Sequence, residues 1–294
     1  MDGILNFNKA QGWTSHDVVA YVRRQAGQKR VGHAGTLDPL ATGVLLVCLG
    51  QATRVAEYLM ASDKVYLARV HLGVTTDTYD AEGQVSGTSE VRVDEAALQA
   101  ALQHFTGEIE QVPPMYSALK QNGQRLYRLA RQGVQVERPP RKVRIESISL
   151  RQLSWPELTL EVHCSSGTYI RSLAHDIGQA LGCGAHLSGL VRQASGLFRV
   201  EQAVSASILE QTAAEGRLAE LLHPLDTALQ AMPAVSLDAE MARRVRHGQS
   251  VPLALSPGQA APACRAYDDT GQLVAVMVYR AGPGDWRPDK VFGM

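Results

Sequence analysis

Cysteine is scarce, with four in 294 residues, at positions 48, 164, 183 and 264. None forms a Cys-x-x-Cys pair, which argues against a disulfide framework or a zinc ribbon and for a reducing, cytoplasmic setting. Long apolar runs are missing too. No stretch approaches the ~20 residues of a membrane span, and the opening MDGILNFNKA lacks the basic and apolar regions of a signal peptide, so no membrane partner is expected. Neither G-x-x-x-x-G-K-[ST] nor G-x-G-x-x-G occurs, so a nucleotide cofactor is not expected. The absence of H-E-x-x-H, with His33 and Asp38 five residues apart rather than at helical spacing, speaks against a metal site. No G-x-S-x-G elbow supports a serine hydrolase.

Net charge is also missing, since 29 Lys and Arg balance 29 Asp and Glu. A neutral chain is a poor prior for a polyanionic partner, but distribution matters more than the sum. Residues 115–144 hold Lys120, Arg125, Arg128, Arg131, Arg138, Arg141, Lys142 and Arg144 against the single acid Glu137. The chain is balanced overall and strongly basic in one place.

What is present reads as alternating helices and strands. GILNFN (3–8) suits a short strand, and Thr14-Ser15 caps a helix running to Ala26, with Gly27 as its stop. GVLLVCLG (43–50) suits a buried strand. KVYLARVHL (64–72) alternates, placing Tyr66, Ala68, Val70 and Leu72 on one face. TTDTYDAEGQ reads as a polar turn, and residues 94–105 as a helix capped by Asp94. Two Pro-Pro pairs bracket a basic helical piece, LYRLARQG, with Gly133 as its C-cap. Strands resume at VRIESISLRQL and LTLEVHC, and SSGTYIRSLAHDIGQALG is a glycine-led turn into a helix. A further helix is expected over 205–222. Beyond Met232 only short strand signals occur, CRAYD and LVAVMVY around a DTG turn, which suggest a small β-barrel-like appendage.

The stretch VGHAGTLDPLATGVL (31–45) sets one carboxylate, Asp38, among apolar residues and glycines. Pro39 holds Asp38 out of the helical region. Taken alone, Asp-Pro reads as a turn. Tyr66 alone reads as a core tyrosine, Arg171 as a surface or capping residue, and the basic segment as a solvated face.

Together these stretches resemble the TruB family of tRNA pseudouridine synthases, which make pseudouridine at position 55 in the tRNA T-loop. GHAGTLDPLATGVLLVCLGQATR is similar to the family's catalytic-aspartate motif, and KVYLARVHLGVTTDTYDAEG to its tyrosine motif. QVPPMYSALKQNGQRLYRLARQG resembles its RNA-contacting insertion, and SSGTYIRSLAHDIGQALGCGAHLSGLVR its arginine motif. NKAQGWTS resembles an opening that usually reads Asn-Lys-Pro, from which Ala10 departs. The last sixty residues resemble a PUA-type RNA-binding domain.

The resemblance implies an α+β pseudouridine synthase fold: a mixed, largely antiparallel central sheet flanked by helices, plus a small C-terminal PUA-like β-barrel. Residues 1–231 would form the catalytic domain, with an insertion at about 107–140, and 232–294 the RNA-binding domain. It implies that Asp38 is the essential carboxylate and that Arg171 pairs with it, lowering its pKa by roughly 1–3 units. Tyr66 would stack on a flipped-out uracil and suit removal of its C5 proton. His33 would hold the flipped state, Tyr169 and Leu190 would line the pocket, and Lys9 would contact substrate. Lys120, Arg125, Arg128, Arg131, Arg141 and Lys142 would meet the RNA backbone. No cofactor or metal, no protein partner and a monomer are implied, with the tRNA T-arm as the partner. Aromatics are only 5% of the chain, so recognition should rest on shape and backbone.

Three rivals remain at this point. A non-catalytic RNA-binding protein or folding chaperone would have no need of an arginine-paired acid. A subunit of a guide-RNA-directed pseudouridylating complex would not need the long insertion. A hydrolase using His33 and Asp38 lacks a nucleophile motif.

Overall fold

In the computed structural model, residues 1–293 are described apart from 118, 122, 135, 254, 256–262 and 283, with only the backbone described for Lys120, Gln121, Arg125, Tyr127 and Arg131. A ten-stranded sheet organises the first 230 residues. Across it run Leu222–His223, Gly3–Lys9, Ala41–Leu49, Ala185–Ser195, Lys64–Leu72, Glu157–Cys164, Arg141–Ser154 and Gly107–Gln111. Val31–Ala34 pairs onto Ala41–Leu49, and Phe198–Arg199 onto Ala185–Ser195. All these pairings are antiparallel except one. Ala41–Leu49 runs parallel to Ala185–Ser195, with Ala41 opposite Leu190, Thr42 opposite Val191 and Gly43 opposite Arg192. The sheet is therefore mixed and largely antiparallel, as expected.

Local chemistry explains the flanking helices. Thr14 and Asp17 close a reciprocal capping box on the Ser15–Ala26 helix, which ends on Gly27 in the left-handed conformation. Asp94 caps Glu95–His104. Ile170–Ala180 buries one face, including Leu173, Ala174 and Ile177. These three helices cover one side of the sheet. The core beneath them contains Val18, Val22, Leu45, Tyr66, Val70, Leu98, Leu160, Leu173 and Ile177. The alternation read in 64–72 holds, with Tyr66, Ala68, Val70 and Leu72 facing this core.

Three expectations change. The helix expected over 205–222 covers only Ala206–Ala214, because Gly216 turns left-handed and short 3-10 and strand pieces follow. Beyond residue 232 a helix, Ala239–Arg246, stands among the strands, capped by the Asp238 carboxylate, which accepts from the Met241 amide at 2.7 Å. The C-terminal strands Ala234–Ser236, Ala263–Tyr267, Leu273–Arg280 and Asp285–Val291 form an open four-stranded sheet among the described residues rather than a closed barrel. Trp286 and Met277 fill their own small core. Val276 and Phe292 pack onto the second face of the large sheet with Ile4, Val44, Leu46 and Cys48.

Candidate active site

The single parallel junction brings the loop of residues 35–40 beside Leu190 and Arg192. Gly43 makes that approach possible. Its φ is +94°, and a Cβ there would lie 2.3 Å from the Arg192 carbonyl oxygen, so only glycine fits. The loop is then pinned from several sides. Ser15 Oγ donates to the Leu37 carbonyl at 3.1 Å and accepts from the Leu37 amide at 2.9 Å. The Gly12 amide donates to the Pro39 carbonyl at 2.9 Å. Leu37 and Leu40 are buried on either side of Asp38-Pro39.

Lys9 is fully buried, and its ammonium donates to the carbonyls of Ala10, Trp13 and Pro39 at 3.0, 2.6 and 3.3 Å. Burial lowers its pKa to about 8. The expected contact with substrate gives way to a different placement: Lys9 lies beneath the loop and holds it by its backbone. Ala10, where the family usually has proline, supplies one of the three carbonyls.

Asp38 meets Arg171 through both oxygens. Arg171 Nε lies 3.0 Å from Oδ2, and Nη2 donates to Oδ1 at 3.2 Å. The guanidinium is almost wholly enclosed. Nη2 also donates to the Tyr116 carbonyl at 2.8 Å, and Nη1 donates to the Thr78 carbonyl at 3.3 Å and lies 3.2 Å from Asp80 Oδ2. One cation is thus shared between two carboxylates. The Asp80 side chain is 5% exposed, whereas 37% of the Asp38 side chain reaches solvent, so Asp38 is the more accessible of the two acids.

The expected depression of the Asp38 pKa is corrected by this arrangement. Burial pushes its carboxyl above the usual range, Arg171 pulls it back, the charge of Asp80 raises it again and Lys9 lowers it. Asp80 is further tied by the Thr78 hydroxyl at 2.6 Å and the Glu82 amide at 3.1 Å, both donating to Oδ1.

Tyr66 stands opposite Arg192 in the antiparallel ladder and is buried. Burial raises its pKa, and the charge of the nearby Arg192 opposes that rise. Arg192 is 1% exposed; Nε donates to the Val44 carbonyl at 2.6 Å and Nη2 to the Gly35 carbonyl at 3.2 Å. It fastens both ends of the aspartate loop and reaches the tyrosine.

Leu190 lies between Ala41 and Ala68 in the two ladders, next to the loop. Tyr169 precedes the arginine helix, where Gln111 clamps its backbone: the Tyr169 amide donates to Oε1 at 2.7 Å and Nε2 donates to the Tyr169 carbonyl at 3.0 Å. His33 sits on the short strand before the loop, its ring edge-on to His16 at 5.5 Å. Its Nδ1 is buried with no partner among the described residues, and burial lowers its pKa to about 4, so the ring is neutral.

The side chains of Lys120, Arg125 and Arg131 lie outside the described residues. Arg128, Arg141 and Lys142 are exposed, the last two on the strand beside the sheet edge, opposite Gln111 and Glu110. Gly133 caps the short helix as expected, donating its amide to Ala130. The insertion reaches the site itself through the Tyr116 carbonyl.

Asp80 and Arg192 carried no role in the sequence reading. Both sat inside the quoted motifs, Asp80 as one acid of a polar turn. Among the described residues no cluster of three metal-ligating side chains occurs, and no helix is long and apolar enough to cross a membrane.

Comparison with known proteins shows the family. Residues 23–170 match the model for the TruB family pseudouridylate synthase N-terminal domain, and 171–230 that for the tRNA pseudouridylate synthase B C-terminal domain. A tRNA pseudouridine synthase B from Dehalococcoides mccartyi is 48% identical over 293 residues, covering 99% of this chain and 97% of the relative. One from Dechloromonas aromatica is 48% identical over 276 residues, covering 94% and 91%. Among solved structures, a Cbf5-Nop10-Gar1 complex contains a chain matched with TM-score 0.76 and 28% identity, covering 99% of this chain and 85% of that one. An H/ACA RNP bound to a substrate RNA containing 2′-deoxyuridine gives 0.73 and 25%, with the same coverage.

Proposed function

This chain belongs to the TruB family and is a tRNA pseudouridine synthase, and from that premise we propose that it isomerises the uridine at position 55 of the T-loop, with Asp38 as the essential group. The observation that carries the reading is a carboxylate open on one side, held at both oxygens by the buried Arg171.

In the reaction the N1–C1′ bond breaks, the uracil turns, and C5 bonds to C1′. The C5 proton leaves and N1 takes up a proton, so atoms balance without a co-substrate. The base lies inside a folded loop, and flipping it out costs a few kcal/mol. Asp38 supplies the ionised carboxylate, and Arg171 favours that charge against burial. Apolar walls from Leu190 and Tyr169 strengthen its electrostatics. Tyr66 offers its ring to the flipped uracil and takes part in removing the C5 proton, directly or through water. Burial raises the pKa of its hydroxyl and the nearby Arg192 guanidinium opposes that rise. His33, neutral and beside the loop, packs against the displaced nucleotide.

The insertion at about 107–140, through Lys120, Arg125, Arg128 and Arg131, grips the RNA backbone together with Arg141 and Lys142 on the strand that follows it. Residues 232–294 form a PUA-like RNA-binding domain. The enzyme works as a monomer without a protein partner, a reading supported by its likeness to synthase B relatives along nearly their full length.

Asp38→Asn tests this. The variant is expected to bind T-arm RNA and make no pseudouridine, as measured by carbodiimide labelling and primer extension on unmodified transcript. Retained turnover overturns the assignment.

A further inference from the structure

Tyr79 is the one non-glycine residue with a positive φ, +65°, among the described residues. A bulky residue is uncommon there and persists where surroundings impose it. Its neighbours show what is imposed. Thr78, just before it, gives its carbonyl to Arg171 Nη1, and Asp80, just after it, sets Oδ2 3.2 Å from the same nitrogen. The Tyr79 carbonyl itself accepts from the Leu187 amide at 3.0 Å.

The Tyr79 ring lies flat on His175, with centroids 3.9 Å apart and planes within 16°. His175 is on the helix that carries Arg171, four residues later and so on the same face. Three consecutive loop residues therefore grip two successive turns of one helix: Thr78 and Asp80 hold the guanidinium, and Tyr79 holds the imidazole. His175 Nδ1 is buried with no partner among the described residues, so no hydrogen bond ties this ring through that nitrogen.

We propose that Tyr79, by stacking on His175, is a positioning residue for the isomerisation: it sets the register between loop and helix that keeps Asp80 on Arg171, and so Arg171 on Asp38. The inference rests on the reading of Asp38 and Arg171 given above. Stack and strain act together, since the ring contact holds the left-handed turn that aims Thr78 and Asp80 in one direction. The hydroxyl takes no part, so Phe should replace Tyr79.

The test is single-turnover kinetics and RNA binding on full-length Tyr79→Ala, Tyr79→Phe, His175→Ala and the double alanine variant. Tyr79→Ala should lose about tenfold in the single-turnover rate constant, equivalent to about 1.4 kcal/mol of transition-state stabilisation, with RNA affinity unchanged. Tyr79→Phe should keep the parent rate. The double variant should be no slower than either single one, because both remove the same contact. Should Tyr79→Ala fail to fold, His175→Phe and His175→Ala divide the outcomes equally well, the first retaining a stacking partner and the second losing it. Full rates in the alanine variants, equal losses of rate and affinity, or independent losses that add would each overturn the proposal. Asp38→Asn run alongside separates the two readings: if it is active the assignment of the site fails, and if it is dead while Tyr79→Ala runs at the parent rate only this inference fails.

Discussion

Replacing Gly43 with alanine should damage the enzyme through the backbone that carries the Asp38 loop. A Cβ at this position meets the Arg192 carbonyl oxygen at 2.3 Å and the Arg192 carbonyl carbon and nitrogen at 3.0 Å. These are backbone atoms, so no rotamer change relieves them. Gly43 is also paired on its other side with Lys9 in the antiparallel ladder, which blocks retreat in that direction. Alanine at φ +94° carries backbone strain of about 1–3 kcal/mol, and overpacking adds about 1–3 kcal/mol. A less flexible unfolded chain returns about 0.4–1 kcal/mol. The net is a loss of about 1–6 kcal/mol, which at about 2–4 °C per kcal/mol lowers the melting temperature by about 2–22 °C. Relieving the contact requires the two strands to separate by about 1 Å, and a displacement of that size at the Asp38 loop can cost about a hundredfold in rate. Gly27→Ala is the control. It too has a positive φ, +60°, but its Cβ would meet nothing within 4 Å, so it carries strain alone and leaves the loop untouched. Thermal melts and single-turnover pseudouridylation of a transcript compare the two. If Gly43→Ala melts with Gly27→Ala and retains the parent rate, the junction is not the rigid support inferred from it.

Two further outcomes follow from the charges. Asp80 raises the pKa of Asp38, so Asp80→Asn removes an upward influence, while Arg171, Lys9 and the remaining burial persist. The acid limb of the single-turnover rate should move to lower pH, with a lower plateau because Arg171 loses an ion pair; a limb moving to higher pH would refute the shared-cation geometry. Replacing the exposed Arg128, Arg141 and Lys142 together with serine should flatten the slope of log affinity against log salt by about 2–3, at ~0.7–0.9 per phosphate contact. An unchanged slope would remove these cations from the RNA interface.

The fold was legible where local rules act alone. Thr14, Asp94 and Gly27 sit where caps belong, and 64–72 alternates because one face lies on helices. The central strand Ala185–Ser195 went unread for a physical reason. His186, Ser188, Gly189 and Arg192 interrupt its apolar pattern, and Arg192 is tolerated there only because the Val44 and Gly35 carbonyls, distant in sequence, receive its donors. The Ala239–Arg246 helix does show Met241, Ala242 and Val245 at helical spacing, but the strand signals around it were stronger.

Asp38 and Arg171 were identifiable through the length and order of the motifs around them, because each motif spans the residue and the backbone that holds it. Asp80 was not, and the difference is instructive. In TTDTYDAEG it has the composition of a surface turn, and the Leu187 backbone and the Arg171 guanidinium, both distant in sequence, help to enclose it. Its burial is a property of three segments far apart in the chain. The consequence is chemical as well as structural. With Arg171 held by Asp80 and by two carbonyls, removing Asp38 still leaves the cation paired, so the arginine can be built before the substrate arrives and need not be organised by it. Asp38, in turn, is held at both oxygens by a cation whose third nitrogen, Nη1, lies against Asp80. Burial and the charge of Asp80 together hold the Asp38 carboxyl above its usual range while Arg171 opposes them, so the charge on Asp38 depends on the shared cation staying in place.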